Sequence, residues 1–352
     1  MDIVITGLGV VAPGADSVNG LRDVVAAGKQ MYRRVEKPYV GEVVAGECVF
    51  DNTRYWSARD ARRSTLAGNL AVYAAGQAIE QAGLLAGDVG VFCGISDHGG
   101  VVTEAELTKL HGGRSVSQWG KFALLHSLVN QPAGEVARVF DLRGPSQAVG
   151  GACAAGNMAI VNALTWLSAG AIKSAVVLGV SEAAQGFGIF AGFKAAGALA
   201  KDSCRPFADD RDGIVVSDGA GAMVIEARAE AERRGVDVLG VLGGVACATG
   251  KGQVVGTVDD CVGVMQAVKP IMPGNPFIVA HATGTIEGDA VEAEAIEKVF
   301  PGCEVAAYKA VLGHTMGASA IIELIAAMGD SRLIIKPAFG MMGENTCLIM
   351  TG

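Results

Sequence analysis

Seven apolar runs punctuate the chain: Ile3–Thr6, Val89–Gly94, Ala175–Gly179, Ala222–Ile225, Val238–Leu242, Phe277–Ala280 and Leu348–Met350. Each is short, bounded by glycine or polar residues, and apolar throughout rather than alternating, the pattern of strands covered on both faces. Between them the apolar positions recur at helical spacing in Arg63–Gln81, Cys153–Ser168, Ala227–Arg234, Asp260–Val268, Ala290–Val299 and Gly317–Met328. Buried strands alternating with helices predict an α/β layered fold with helices on both faces of the sheet. A weak internal echo with its seam at Arg234-Gly235 divides the chain into two similar halves of unequal length, 1–235 and 236–352. No low-complexity linker marks the seam, so the halves are expected to pack as one body.

Composition sharpens this picture. The 352 residues carry 28 Lys+Arg against 36 Asp+Glu, a net charge of 28 − 36 = −8, with 51% hydrophobic and 18% charged residues. That describes a folded, core-rich protein and argues against nonspecific nucleic-acid binding. Glycine is the outlier, with 50 residues, about twice the usual ~7% and without a collagen-like period. The eight cysteines are dispersed singly, with no Cys-x-x-Cys and no Cys/His pair at metal-ligand spacing, which suits reduced thiols in a cytosol and no metal site. Met1-Asp2-Ile3 carries no basic n-region, so no secretory signal is expected. The longest apolar tract, Ala159 to Val180, is interrupted by Asn162, Ser168, Gly170 and Lys173, which disfavours membrane insertion.

The first candidate motif points to a dinucleotide. Gly7-Leu8-Gly9-Val10-Val11-Ala12 follows the first strand and fits G-x-G-x-x-A. Pro13-Gly14 and Asp16, however, continue a turn where the phosphate-binding helix should begin, and no second strand ending in an acidic residue follows, since the chain reads as helix (Val18–Ala27) and then polar Lys29–Lys37. A nicotinamide-dependent oxidoreductase is one alternative, with a plain glycine turn as the simpler reading.

A different chemistry gathers around one cysteine and two histidines. Cys153, in Gly150-Gly151-Ala152-Cys153-Ala154-Ala155-Gly156, opens a helical pattern, and a sulfur at a helix N-terminus is favoured as thiolate. Small neighbours admit a bulky substrate, though they suit an inert buried cysteine equally. His281 follows the strand Phe277–Ala280, and His314 sits in Gly313-His314-Thr315-Met316-Gly317 ahead of a helix; both occupy element ends, where site residues concentrate. His98, His111 and His126 read first as ordinary core or surface histidines. A thiol paired with imidazoles is suited to acyl transfer through a thioester.

These stretches, in their order and spacing, resemble the β-ketoacyl-acyl-carrier-protein synthases, condensing enzymes of the thiolase superfamily. The likeness runs along most of the chain: Val4-Ile5-Thr6-Gly7-Leu8-Gly9, Leu142-Arg143-Gly144-Pro145-Ser146 leading to Ala152-Cys153, Arg205-Pro206-Phe207 through Asp209, Arg211-Asp212-Gly213 and Asp218-Gly219-Ala220-Gly221. It continues in His281-x-Thr-Gly-Thr285 with Gly288-Asp289 and Glu292, Lys309 ahead of His314, and Gly317-Ala318 with Glu323. The resemblance implies a thiolase-like fold, two βαβαβαββ halves packed as a five-layer αβαβα sandwich, and it explains the first glycine segment without a dinucleotide. It implies decarboxylative condensation of a Cys153-bound acyl group with a malonyl thioester on an acyl carrier protein, in fatty acid or polyketide synthesis, with no cofactor. Cys153, His281 and His314 would form the triad, Lys309 and Glu292 a structural ion pair beside it, and the backbone N–H groups of Cys153 and Met341 the oxyanion hole. Thr283 and Thr285 would bind the pantetheine arm. Arg59, Arg62 and Arg63 would dock the carrier protein, although a solvated helix start explains them too. A homodimer, or a heterodimer with a related subunit, is expected, and the alternative within the family is a chain-length-determining partner subunit.

Three departures from the family pattern stand out. Where Phe-Gly-Phe-Gly-Gly is usual, this chain has Phe339-Gly340-Met341-Met342-Gly343, which replaces the gating aromatic. His98 takes a place where the family has an apolar residue at the floor of the acyl pocket; a polar floor would favour a short, aromatic or conjugated acyl group, unless His98 turns toward a subunit interface. The segment between Glu323 and Phe339 is short, leaving out part of the usual cover of the entrance.

Overall fold

Val176, Leu178 and Val180 of one strand face one way, Ala175 and Val177 the other, and all five are fully buried. This double burial is what the unbroken apolar runs signal, and it organises the chain into layers. The computed structural model describes residues 2–83, 87–251, 256–269, 276–329 and 332–352. Its strands are β1 (Ile3–Val11), β2 (Arg33–Lys37), β3 (Gly41–Gly46), β4 (Val89–Ile95), β5 (Ser146–Val149), β6 (Ser174–Ser181), β7 (Val216–Ser217), β8 (Gly219–Ala227), β9 (Gly240–Thr249), β10 (Phe277–Val279), β11 (Glu304–Ala306), β12 (Leu333–Phe339) and β13 (Glu344–Thr351). Ten of them form one sheet in the order β11-β10-β12-β13-β9-β1-β8-β6-β4-β5, and β2-β3-β7 form a small second sheet.

The internal echo is a structural repeat. β1 and β9 pair antiparallel at the middle of the sheet, with Ile3 opposite Leu242 and Ile5 opposite Gly240. Outward from this pair the two sides run alike: β1-β8-β6-β4-β5 on one and β9-β13-β12-β10-β11 on the other. In each half the second strand lies parallel to the third and fourth, and the fifth is antiparallel to both its neighbours. The first five strands of the large sheet end by Ala227 and its next five begin at Gly240; between them Gly235 ends the helix Arg228–Arg234 in a left-handed conformation (φ 67°).

Helices complete five layers. Leu66–Ala82 and Gln131–Val139 cover the outer face of the first half, Ala155–Ser168 and Ser319–Ala327 lie between the halves, and Val258–Val268 and Ile286–Val299 cover the outer face of the second. Among the described residues no helix is long and apolar enough to cross a membrane.

Gly7 and Gly9 belong neither to a phosphate-binding loop nor to a turn. Both lie inside β1, which runs on to Val11. A Cβ on Gly7 would stand 2.0 Å from the carbonyl oxygen of Ala78, and one on Gly9 1.9 Å from that of Ala74, so the glycines let the helix Leu66–Ala82 lie directly on the strand. The dinucleotide reading is thereby corrected. The polar stretch Lys29–Lys37 holds the half-exposed strand β2, which has no apolar run to announce it. Between Glu323 and Phe339 the helix ends at Ala327 and β12 begins at Leu333; residues 330–331 of this link lie outside the described residues.

Candidate active site

The two inner helices of the repeat begin close together, and the reactive groups cluster at their N-termini. Ala152–Ala154 form a single 3₁₀ turn leading into the helix Ala155–Ser168, and Cys153 sits in that turn, buried, with Ala152 at φ +46° and Gly151 at φ +144° before it. Met316–Ala318 form the corresponding turn before Ser319–Ala327, with Met316 at φ +45°. His314 precedes this second turn. Its backbone is fixed to the small sheet: His314 N–H donates to the Val215 carbonyl (2.7 Å) and Ser217 N–H to the His314 carbonyl (2.9 Å). Gly313 (φ +71°) makes the approach possible, since a Cβ there would lie 2.1 Å from Ser217 Oγ. His281 follows β10.

The structure brings Cys153, His281 and His314 together. His314 Nε2 lies 3.1 Å from Cys153 Sγ. The histidine rings meet edge to face with centroids 5.5 Å apart, and Sγ and one nitrogen of each ring lie within 4.8 Å of one another. Phe339 packs against His281 at 5.8 Å between centroids. Burial, reinforced by the Lys309 charge, holds both imidazoles well below the usual histidine range, so both are neutral at physiological pH. Burial likewise pushes the Cys153 thiol up to about 11, against the opposing pull of Lys309, so the resting pair is thiol and neutral imidazole. Desolvation thus opposes the thiolate that a helix N-terminus favours.

Glu292 does not pair with Lys309 as anticipated. Its two oxygens accept the backbone N–H groups of His281 and Ala282, each at 2.6 Å, and so fix the turn that carries His281. Burial pushes its carboxyl up to about 7 despite these bonds. Lys309 instead donates to the His281 carbonyl (2.6 Å) and pairs with Glu323 (2.6 Å). A second buried lysine, Lys336 of β12, contacts the other Glu323 oxygen at 2.7 Å and donates to the carbonyls of Val279, Ala280 and Pro337. Two cations thus share one carboxylate behind the histidines.

A cleft of about 360 Å³ opens onto the triad, lined among others by Cys153, His281, His314, Thr283, Thr285, Phe339 and Met341. Thr283 and Thr285 join hydroxyls at 3.0 Å on its wall. Met341 is 40% exposed at its mouth, and Met342 beside it holds φ +67° without being glycine. A second cleft, about 470 Å³ beside Arg22, Arg54 and Gln81, contains no cysteine or histidine.

His98 is not among the residues that line this cleft; its side chain is buried with Nδ1 3.8 Å from Glu182 Oε1. Arg59, Arg62 and Arg63 are exposed and form no ion pair among the described residues. They lie in and just after a short helix, Ala58–Ala61, rather than at the start of the long one, which Thr65 caps. Ser319 and Lys336 are the site residues that sequence reasoning missed. A lone lysine in the apolar run Leu333–Phe339 is a usable signal; a serine among Gly317, Ala318 and Ala320 is not.

The chain matches known proteins throughout this frame. The profile described as "Beta-ketoacyl synthase, N-terminal domain" matches residues 1–231, and "Beta-ketoacyl synthase, C-terminal domain" matches 276–329. Nodulation protein E of Rhizobium sp. (strain N33) is 31% identical over 275 residues, covering 74% of this chain and 67% of the relative. 3-Oxoacyl-[acyl-carrier-protein] synthase 2 of Synechocystis sp. is 28% identical over 358 residues, covering 93% and 84%. Among solved structures, the ishigamide ketosynthase/chain length factor superposes with a TM-score of 0.91 at 23% identity over 99% of this chain and 98% of its own. The ketosynthase from module 6 of the bacillaene synthase of Bacillus subtilis 168 gives 0.83 at 18–19% identity over 100% and 72%.

Proposed function

The chain belongs to the β-ketoacyl synthase family of condensing acyltransferases, and we propose that it is a catalytically competent subunit working through Cys153, His281 and His314. The observation that carries this reading is the 3.1 Å contact of His314 Nε2 with Cys153 Sγ, with His281 alongside, at the end of an open cleft.

In the first half-reaction Cys153 attacks an acyl thioester while His314 Nε2 takes the thiol proton. The tetrahedral oxyanion is held by the backbone N–H groups of Cys153 and Met341, and the departing pantetheine thiolate leaves with the proton. In the second, a malonyl thioester enters past Thr283 and Thr285, whose hydroxyls suit the amides of the pantetheine arm. Its C–C bond breaks, carbon dioxide leaves, and the electron pair moves to the thioester oxygen. Two neutral imidazoles donating to that oxygen stabilise the enolate, and the depressed histidine pKa values keep them neutral. The enolate carbon attacks acyl-Cys153, giving a β-ketoacyl thioester two carbons longer and releasing the sulfur.

The substrate carrier is an acyl carrier protein, and unpaired Arg59, Arg62 and Arg63 suit an acidic partner. Charge reversal at Arg62 and Arg63 should weaken carrier-dependent turnover and spare acylation by a small thioester; equal loss of both would remove the docking role. A partner subunit is supported by the edge strand β5 and by exposed Val116, Phe122, Leu124, Leu125, Leu128 and Val129, a concentration of apolar surface characteristic of an interface. The chain-length-determining role is disfavoured because the complete triad is assembled.

The test is intact mass after incubation with acyl-carrier thioesters and then malonyl-carrier protein, beside a Cys153→Ala control. One acyl group added at Cys153 and released as a longer ketoacyl product supports the reading. Failure of the cysteine to acylate, with or without a related partner subunit, defeats it.

A further inference from the structure

His314 must act differently in the two half-reactions proposed above, and the structure holds a group suited to both. Its Nε2 faces Cys153, and among the described residues its Nδ1 has one hydrogen-bond partner, Ser319 Oγ at 2.9 Å. Ser319 Oγ in turn lies 3.0 Å from Thr315 Oγ1. Thr315, Ser319 and His314 are all at most 2% exposed, so water does not compete for these bonds. We propose that Ser319 is a positioning residue for His314, and that its hydroxyl, which can donate or accept, supports whichever imidazole tautomer each half-reaction needs.

To take the Cys153 proton, Nε2 must begin unprotonated, so the neutral ring carries its proton on Nδ1 and donates it to Ser319 Oγ. The serine hydroxyl then donates onward to Thr315 Oγ1. To stabilise the malonyl enolate, Nε2 must carry the proton, so Nδ1 becomes an acceptor from Ser319 O–H, and Thr315 O–H donates to Ser319. Rotation of the two hydroxyls lets the chain serve either tautomer; the change of tautomer itself takes the loss of the Nδ1 proton and the gain of one on Nε2 between the half-reactions. A backbone N–H in the place of Ser319 could only donate, and would hold the ring permanently in the Nε2–H form. Alanine would leave Nδ1 buried without a partner.

This inference rests on the triad chemistry, so its test separates the two. In this protein, Ser319→Ala, Ser319→Thr and Thr315→Val are compared with wild type. Acylation of Cys153 is followed by intact mass with a hexanoyl N-acetylcysteamine thioester, and malonyl-carrier decarboxylation by release of carbon dioxide in a Cys153→Ala background. Histidine ¹⁵N resonances report the state of Nδ1 in each variant. Ser319→Ala should slow both half-reactions by about tenfold or more, a modest part of a general acid–base contribution, with KM for the malonyl carrier within about twofold of wild type. The His314 Nδ1 resonance should move in Ser319→Ala and return in Ser319→Thr, which should also recover most of both rates. Thr315→Val should give a smaller loss in both steps. Ser319→Ala with both rates unchanged, or with an unmoved Nδ1 resonance, overturns the assignment. If wild type performs neither half-reaction the triad reading fails, while the resonance comparison still decides whether Ser319 holds Nδ1.

Discussion

Glu323 pairs with two buried lysines, so neutralising it should expose the electrostatics of the whole site. The Lys309 and Lys336 ammonium groups lie 2.6 and 2.7 Å from its two oxygens, and all three side chains are at most 3% exposed. Glu323→Gln keeps the shape and removes the charge. Breaking a buried pair by removing one partner costs about 3–5 kcal/mol, because the other charge stays behind unpaired. The second lysine has an escape, deprotonation, which costs about 5 kcal/mol at pH 7, or 1.36 kcal/mol for each of the ~3.4 units below its ordinary pKa. The variant should therefore lose between about 3 and 5 kcal/mol, a large share of the ~5–15 kcal/mol that holds typical domains folded. The sign of the pH dependence follows. Burial already lowers Lys336, and in the variant a lysine neutral when folded gains a proton on unfolding, so unfolding becomes harder as pH rises. Urea denaturation at fixed protein concentration should show Glu323→Gln gaining stability between pH 7 and 9 by up to ~1.4 kcal/mol per unit, more steeply than wild type. Adding Lys336→Met to Glu323→Gln should restore stability, although Lys336→Met alone should lower it. A loss below about 1 kcal/mol together with a flat pH response would refute the shared-carboxylate account.

Three shorter predictions test other parts of the site and fold. Because burial pushes the Cys153 thiol up to about 11, alkylation of the free protein by iodoacetamide should accelerate steadily from pH 7 to 9; a plateau beginning below pH 7 would instead reveal a resting thiolate–imidazolium pair. Gly7→Ala drives a methyl group into the Ala78 carbonyl and should cost about 1–3 kcal/mol or more, read as a lowered urea midpoint at unchanged slope. Leu125→Asp together with Val129→Lys should shift the protein toward monomer in sedimentation without unfolding it, and an unchanged assembly would move the interface elsewhere.

The chain's legibility follows from how locally each feature is encoded. Strands buried on both faces, such as β4 and β6, announce themselves as apolar runs, and the helical period over Arg63–Gln81 marks the helix Leu66–Ala82, which Thr65 and Gly83 cap. β2 escapes because it is mostly exposed and carries charges, and Gly100–His111 because only Glu106 on it is buried. Cys153 and the two histidines are legible as residues at element ends, but their state is not: whether sulfur is thiol or thiolate depends on desolvation, which only the folded chain sets. Glu292 was legible as a site residue and misread in its partner, because both Glu292 and Glu323 lie within reach of a lysine on sequence grounds, and only packing decides which oxygen meets which nitrogen.

The duplication explains why the reactive groups meet where they do. Each half contributes an inner helix introduced by a 3₁₀ turn with a positive-φ residue, Ala152 in the first and Met316 in the second. Packing the halves face to face brings the two turns against each other: a Cβ on Gly156 would lie 2.9 Å from the Gly317 carbonyl, and one on Gly179 2.7 Å from the same oxygen. In the first turn the residue after the strained position is the nucleophile Cys153. In the second it is Gly317, where a Cβ would stand 2.8 Å from the Ser96 backbone nitrogen, so that position has no room for a side chain. The second half instead places its functional group before the turn, as His314, and its support one residue into the helix, as Ser319. A symmetric scaffold thus becomes an asymmetric site by steric exclusion: one turn keeps a sulfur, and the other is emptied so that imidazole can reach it.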